Sequence, residues 1–191
     1  GQRNLGSMST RSIFLIGFSG SGKSTVAQMV GNRLNMPVYD LDRLIVEQSG
    51  MPIPQIFEQE GEQGFRARET AALRTIIGMA PGVVATGGGL PTRTENRAFM
   101  ADAGWVITLE GRPETLSARI QQQRQQAMPE GKRPLLDAAD PLEHVRALKQ
   151  SRQAVYALAD WTVHTDRLSA EQVAHEVVRA VELLNQTLLP E

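Results

Sequence analysis

One stretch, Gly17 to Thr25, constrains this chain more than any other: it reads G-F-S-G-S-G-K-S-T. It satisfies G-x-x-x-x-G-K-[ST], the pattern of a loop that wraps phosphate, and its context is the one that pattern requires. Ahead of it, Ser12–Ile16 is short and apolar, as a buried strand is. Behind it, Val26, Met29, Val30 and Leu34 recur at helical spacing. The glycines let the backbone curl around an anion with its N–H groups inward, and the helix that follows adds partial positive charge. Gly20, Ser21, Gly22, Lys23, Ser24 and Thr25 are therefore the expected phosphate cradle. In such a cradle the lysine reaches the β- and γ-phosphates and the first hydroxyl binds Mg²⁺. A strand, loop and helix of this kind imply an α/β fold that binds a nucleoside triphosphate.

The remaining sequence continues the alternation. Apolar, β-rich runs recur at Pro37–Tyr39, Val83–Ala85, Trp105–Leu109 and Trp161–Val163, with helix-length stretches between them. Such alternation predicts a parallel sheet covered on both faces, and right-handed crossovers then bring every strand C-terminus to one edge. Helix starts are written locally. Asp140-Pro141-Leu142-Glu143 combines an N-cap, a first-turn proline and a capping-box glutamate. Ser169 and Gln172 repeat the box before an apolar stripe at Val173, Val177, Val181 and Leu184.

Bulk properties exclude several classes. The 191 residues suit one domain, expected over 8–185, with Gly1 to Ser7 read as an artificial leader ahead of Met8 and 186–191 as a tail. The net charge of -1, from 20 basic and 21 acidic residues, offers no field for nucleic acid or membrane. Without cysteine there is no disulfide or thiolate metal site, and a cytoplasmic location is expected. His144, His164 and His175 lack ligand spacing. No apolar run approaches the roughly 20 residues that span a bilayer.

Four further patterns carry candidate chemistry. Asp40-Leu41-Asp42 closes the second strand on the ligand edge, and strand alternation points both carboxylates the same way if the strand persists; a helix N-cap at Asp42 is the alternative. In Gly64-Phe65-Arg66-Ala67-Arg68-Glu69, within a charged stretch that opens a helix, the two arginines fall on different faces, so one can hold an anion while the other meets a surface glutamate. The third strand runs into Thr86-Gly87-Gly88-Gly89. Three glycines in a row fit either a close approach to the backbone or a tight turn. The usual Walker B acid is missing there, which leaves Asp40 for the metal side. Finally, Gln121–Arg133, rich in Gln and Arg and broken by Pro129 and Gly131, reads as a loop; an arginine on such a loop can swing over phosphate. Arg152, in the helix beyond, faces either the cleft or solvent.

Taken in order and spacing, G-F-S-G-S-G-K-S-T, D-L-D, G-F-R, T-G-G-G and R-P-L-L resemble the shikimate kinase family, over essentially Ser12 to Leu184. The resemblance implies a three-layer α/β/α sandwich, a P-loop kinase with a five-stranded parallel sheet in order 2-3-1-4-5. It implies Mg²⁺-dependent transfer of the ATP γ-phosphoryl group to the 3-hydroxyl of shikimate. By position, Asp42 matches the carboxylate that binds shikimate and accepts the proton, while Arg66 and Arg152 match the clamp on its carboxylate. Gly88 and Gly89 match backbone contacts to the ring hydroxyls. Ser24 and Asp40 match the Mg²⁺ residues, Asp40 through water. Lys23 and Arg133 match the phosphate-binding pair, and Arg124 the adenine-stacking arginine. The substrate segment falls at 41–69 and the lid at 124–137. A monomeric, cytoplasmic enzyme is implied, with gluconate kinase or a non-catalytic ATP-binding domain as alternatives.

Overall fold

Strand β1 (Ser12–Ile16) lies in the middle of the sheet and is buried on both faces, which is why it reads as an unbroken apolar run. The computed structural model describes residues 10–126 and 140–189, without the side chains of Arg124 and Gln126. β1 pairs in parallel with β3 (Val83–Ala85) and β4 (Gly104–Glu110); β2 (Val38–Asp40) joins β3, and β5 (Trp161–His164) joins β4. The order is β2-β3-β1-β4-β5, as the family resemblance implies. Alternation along β1 divides the core. Ile13 and Leu15 face Val26, Ala27 and Val30 of α1 (Lys23–Leu34) and Val173 and Val177 of α7 (Ala170–Gln186). Phe14 and Ile16 face the other layer. That layer is α2 (Leu41–Ser49), α3 (Ile53–Ile77), α4 (Thr94–Ala103) and α6 (Pro141–Tyr156), with Leu116 and Ile120 of α5 (Pro113–Gln126).

Local chemistry sets the element ends. Ser169 Oγ accepts from Gln172 N at 3.1 Å while Gln172 Oε1 accepts from Ser169 N at 2.8 Å, a complete capping box. At α6 only half of the expected box forms: Asp140 Oδ1 accepts from Glu143 N, but the Glu143 carboxylate turns to Arg146 at 3.0 Å. α3 is two helical segments joined at Gly61, where φ is 71° and ψ −176°, a conformation open essentially to glycine alone. Gly64–Glu69 thus sits at the opening of the second segment. One expectation is corrected. Gln121–Gln126, read as loop, is the end of α5, because Gln and Arg are good helix formers and no breaker occurs before Pro129. Residues 127–139, with Arg133 and most of the 124–137 lid, lie outside the described residues.

The Ser169 cap is a pair of bonds within the first turn of α7. Ser169→Ala should cost about 0.5–2 kcal/mol of unfolding free energy in a urea titration. An unaltered midpoint would show that the reciprocal bonds do not hold the helix start.

Candidate active site

The phosphate loop leaves β1 at Gly17 and enters α1 at Lys23. Gly20 and Gly22 take φ of 84° and 85°, left-handed values that turn the loop back on itself, and Gly22 is the N-cap of α1. Lys23 is buried and folds over the loop, its Nζ donating to Gly17 O at 2.6 Å and Phe18 O at 3.0 Å. The ammonium is thereby held above the cradle. Ser24 Oγ donates to Asp40 Oδ2 at 3.0 Å, and Asp40 Oδ1 accepts from Arg43 N at 3.1 Å. Asp40 therefore caps α2 and ties it to the phosphate loop at once. This corrects the strand expectation: β2 stops at Asp40, so alternation does not extend to Asp42, and the N-cap is Asp40 rather than Asp42. A side chain that satisfies an open helix start competes successfully with one more strand residue.

Arg119 was missed in the sequence. Its Nη1 lies 3.4 Å from Gly20 O, above the loop. The spacing held a signal, since Leu116 and Ile120 both pack at Gly20 and Arg119 lies on the same side of α5.

Beside the loop is a cavity of about 320 Å³ lined by Asp42, Arg66, Glu69, Gly87, Gly88, Gly89 and Arg152, with Ile53, Phe57, Phe65 and Leu148 as its apolar wall. The arginine question resolves by face. Arg68 turns outward to Glu60 at 2.8 Å, whereas Arg66 points inward and meets Glu69 Oε1 at 2.5 Å. On α6, His144, Leu148 and Arg152 form a stripe four residues apart along the opposite wall, and the Arg152 guanidinium stacks on Phe18 at 5.7 Å.

None of Gly87, Gly88 and Gly89 has positive φ, so backbone freedom does not explain the run. Space does. A Cβ on Gly89 would stand 2.3 Å from Arg66 Nη2, one on Gly88 3.1 Å from Arg152 Nη1, and one on Gly87 2.8 Å from Glu69 Oε2 and 3.4 Å from Asp42 Oδ1. The loop is bare so that four charged side chains from three helices can converge on it.

Two further residues escaped the sequence reading. Glu69 is 1% exposed; Arg66 takes one carboxylate oxygen, while Oε2 has no hydrogen-bond partner among the described residues. Burial outweighs the attraction of Arg66 and, with the nearby Asp42, holds the Glu69 carboxyl above its ordinary range. Its signal was a charged residue at a core-facing position, in step with Phe65, Leu73 and Ile76. Tyr156, one turn after Arg152, donates its hydroxyl to Gly88 O at 2.7 Å, and burial pushes the phenol up to about 12, so it remains a donor at neutral pH.

Small-molecule phosphate-loop kinases are built in this way, with a nucleotide cradle at the end of the central strand and a charged acceptor pocket roofed by neighbouring helices. Relatives narrow that class. The shikimate kinase family model matches residues 19–182. A shikimate kinase of Neisseria gonorrhoeae is 44% identical over 154 residues, 80% of this chain and 86% of the relative. One of Geobacter sulfurreducens is 40% identical over 171 residues, 90% and 91% of the two chains. Among solved structures, shikimate kinase from Acinetobacter baumannii in complex with shikimate superposes with a TM-score of 0.83 at 33% identity, covering 94% of this chain and 96% of that one. A gluconokinase from Sinorhizobium meliloti, at a TM-score of 0.60 and 16% identity, shares the fold alone. The chain belongs to the shikimate kinase family.

The Glu69 environment has a pH signature. A carboxyl raised in the folded state penalises folding in its charged form. That penalty is absent below the unfolded value near 4.5 and complete once pH exceeds the folded value. The difference in unfolding free energy between Glu69→Gln and wild type should therefore shift in favour of the glutamine as pH rises from about 4 to about 8. Parallel pH profiles for the two proteins would show that Glu69 is not desolvated.

Proposed function

We propose that this chain transfers the γ-phosphoryl group of ATP to the 3-hydroxyl of shikimate, giving shikimate 3-phosphate and ADP on the chorismate route to aromatic amino acids. The observation that carries the reading is the convergence of Arg66 and Arg152, from opposite walls, on the Gly88–Gly89 backbone, with Asp42 in the same cavity beside the phosphate loop. A small carboxylate-bearing polyol needs a cationic clamp, an acceptor for its hydroxyl protons, and backbone groups within reach. Here Arg66 and Arg152 take the carboxylate, and Gly88 and Gly89 contact ring hydroxyls. Asp42 orients the 3-hydroxyl and accepts its proton as the oxygen bonds to the γ-phosphorus and the bond to the β–γ bridging oxygen breaks. Lys23, held over the loop, spreads the charge on the transferring group.

Ser24 Oγ and Asp40 Oδ2, 3.0 Å apart, offer the hydroxyl and carboxylate oxygens that suit Mg²⁺, which keeps waters and phosphate oxygens in its shell and needs no larger protein cage. When bound, the ion neutralises phosphate charge. On this reading 8–185 is the kinase domain, 41–69 the substrate segment and 124–137 the lid, with Arg133 meeting phosphate and Arg124 the adenine. Arg119, beside Gly20, adds a cation on the nucleotide side. The enzyme acts as a cytoplasmic monomer with ATP and shikimate as its partners, and nucleic acid and membrane have no part.

Coupled ADP release with ATP and Mg²⁺ should rise well above background with shikimate and not with gluconate. Equal response to both, or none to shikimate, overturns the assignment. In the same assay Asp42→Asn should fold and bind ATP yet turn over about 10²–10⁴-fold more slowly.

The clamp separates from its neighbour on α3. Arg66→Ala and Arg152→Ala should each raise the shikimate constant roughly 10–200-fold, since a charge-assisted hydrogen bond is worth about 1.5–3 kcal/mol. The ATP constant should stay unchanged. Arg68→Ala, which removes only the exposed pair with Glu60, should leave both constants alone. An equal effect at Arg68 would show that the face assignment is wrong.

A further inference from the structure

We infer that Tyr156 is a positioning residue for the acceptor: its hydroxyl fixes the Gly88–Gly89 peptide so that the Gly89 N–H faces the acceptor pocket, in register with Arg152. The inference rests on the shikimate reading above and assigns a part to a residue outside the cavity lining.

The geometry is one of a held peptide plane. Tyr156 is 1% exposed and donates to Gly88 O at 2.7 Å, and its hydroxyl also lies within hydrogen-bond reach of the Arg152 side chain. Across a trans peptide the carbonyl and the following N–H point in opposite directions. Holding the Gly88 carbonyl toward Tyr156 therefore turns the Gly89 N–H to the opposite side of that peptide, and Gly88 and Gly89 are both lining residues of the cavity. Three glycines in succession have the widest conformational choice of any tripeptide, so a rotated plane is cheap unless something opposes it. The flanking carbonyls are held from nearby in the chain. Gly87 O accepts from Leu90 N at 3.2 Å, and Gly89 O accepts from Thr92 N at 3.1 Å and Thr92 Oγ1 at 2.6 Å. The carbonyl between them is anchored from α6.

That anchor also sets a distance. Arg152 is one helical turn before Tyr156, and its Nη1 stands 3.1 Å from where a Gly88 Cβ would be. Thr108 Oγ1, on β4, donates to the backbone Tyr156 O at 2.8 Å, a separate bond at the same helix end that leaves the phenol untouched. One residue thus couples the cation that meets a carboxylate to the N–H that meets a hydroxyl, and a misplaced recognition group costs affinity for the acceptor rather than for the nucleotide.

Tyr156→Phe removes one oxygen and keeps the ring. It should raise the shikimate KM about 5–50-fold, as expected for one buried hydrogen bond, with the ATP KM within about twofold of wild type. Thr108→Val is the control for stability: it deletes a buried bond at the same helix end and should lower the melting temperature comparably while sparing the shikimate KM. A normal shikimate KM in Tyr156→Phe, or an equal rise in Thr108→Val, overturns the inference. Should the phenylalanine variant not fold, wild-type protein labelled with 3-fluorotyrosine decides. The sequence has 2 tyrosines, and Tyr39 donates to Ala80 O, near the start of β3 and away from the ligand edge. Saturating shikimate should shift the fluorine signal of Tyr156 and leave that of Tyr39 in place; an unmoved Tyr156 signal overturns the inference. Wild type that turns over shikimate with an indifferent Tyr156 sinks only this inference, whereas wild type that ignores shikimate sinks the substrate reading and this one together.

Discussion

Five strands running the same way leave their C-terminal ends on one edge, and every described part of the site hangs from that edge. The phosphate loop follows β1, Asp40 closes β2, the glycine loop follows β3, and Gly111–Arg112 and Thr165–Asp166 follow β4 and β5. No long-range design is needed to bring these segments together, because parallel pairing with right-handed crossovers does so by itself. What the sequence adds at each strand end is a small amount of local chemistry. The bond between Ser24 and Asp40 shows the economy of this arrangement: a helix cap on one side of the edge is also the partner of a phosphate-loop hydroxyl on the other.

Charge density in the acceptor pocket has a cost that the core absorbs. Arg66, Arg152, Asp42 and Glu69 crowd a loop without side chains, and Glu69 is almost wholly removed from water. Burying ionised groups is repaid only in part by their mutual attraction, which is why the Glu69 carboxyl rises despite its contact with Arg66. The gain is a guanidinium with little freedom left. Held by Glu69 on one side and by the bare Gly89 backbone on the other, Arg66 has already lost the rotamer freedom that a ligand would otherwise have to remove.

How far the sequence revealed this depended on how local each signal was. The phosphate loop, the five strands and the Ser169 box were legible because the residues that specify them are neighbours in the chain. The glycine run was legible as a close approach, though not what approaches, since Arg66, Arg152 and Glu69 arrive from helices far along the sequence. Two arginines two positions apart announced two faces; which one turned inward depended on Glu60, across the break in α3. Asp40 and Asp42 were legible as a pair and misread in conformation, because strand alternation and helix capping compete there with nothing local to decide between them. Arg119 was hidden by Arg124, a few residues on in a helix whose end was taken for loop.

The break at Gly61 divides the contribution of α3 to the acceptor pocket into two parts. Ile53 and Phe57, on the first segment of α3, shape its apolar wall, while Arg66 and Glu69, on the second, carry its charge. Phe57 and Phe65 meet across the break with ring centroids 4.6 Å apart, so the halves are packed together without sharing one helical ladder. Part of the apolar wall and part of the pocket charge thus sit on different helical segments. A chain of this design can be refitted to a larger or smaller acid by changes before Gly61 while the carboxylate clamp keeps its geometry.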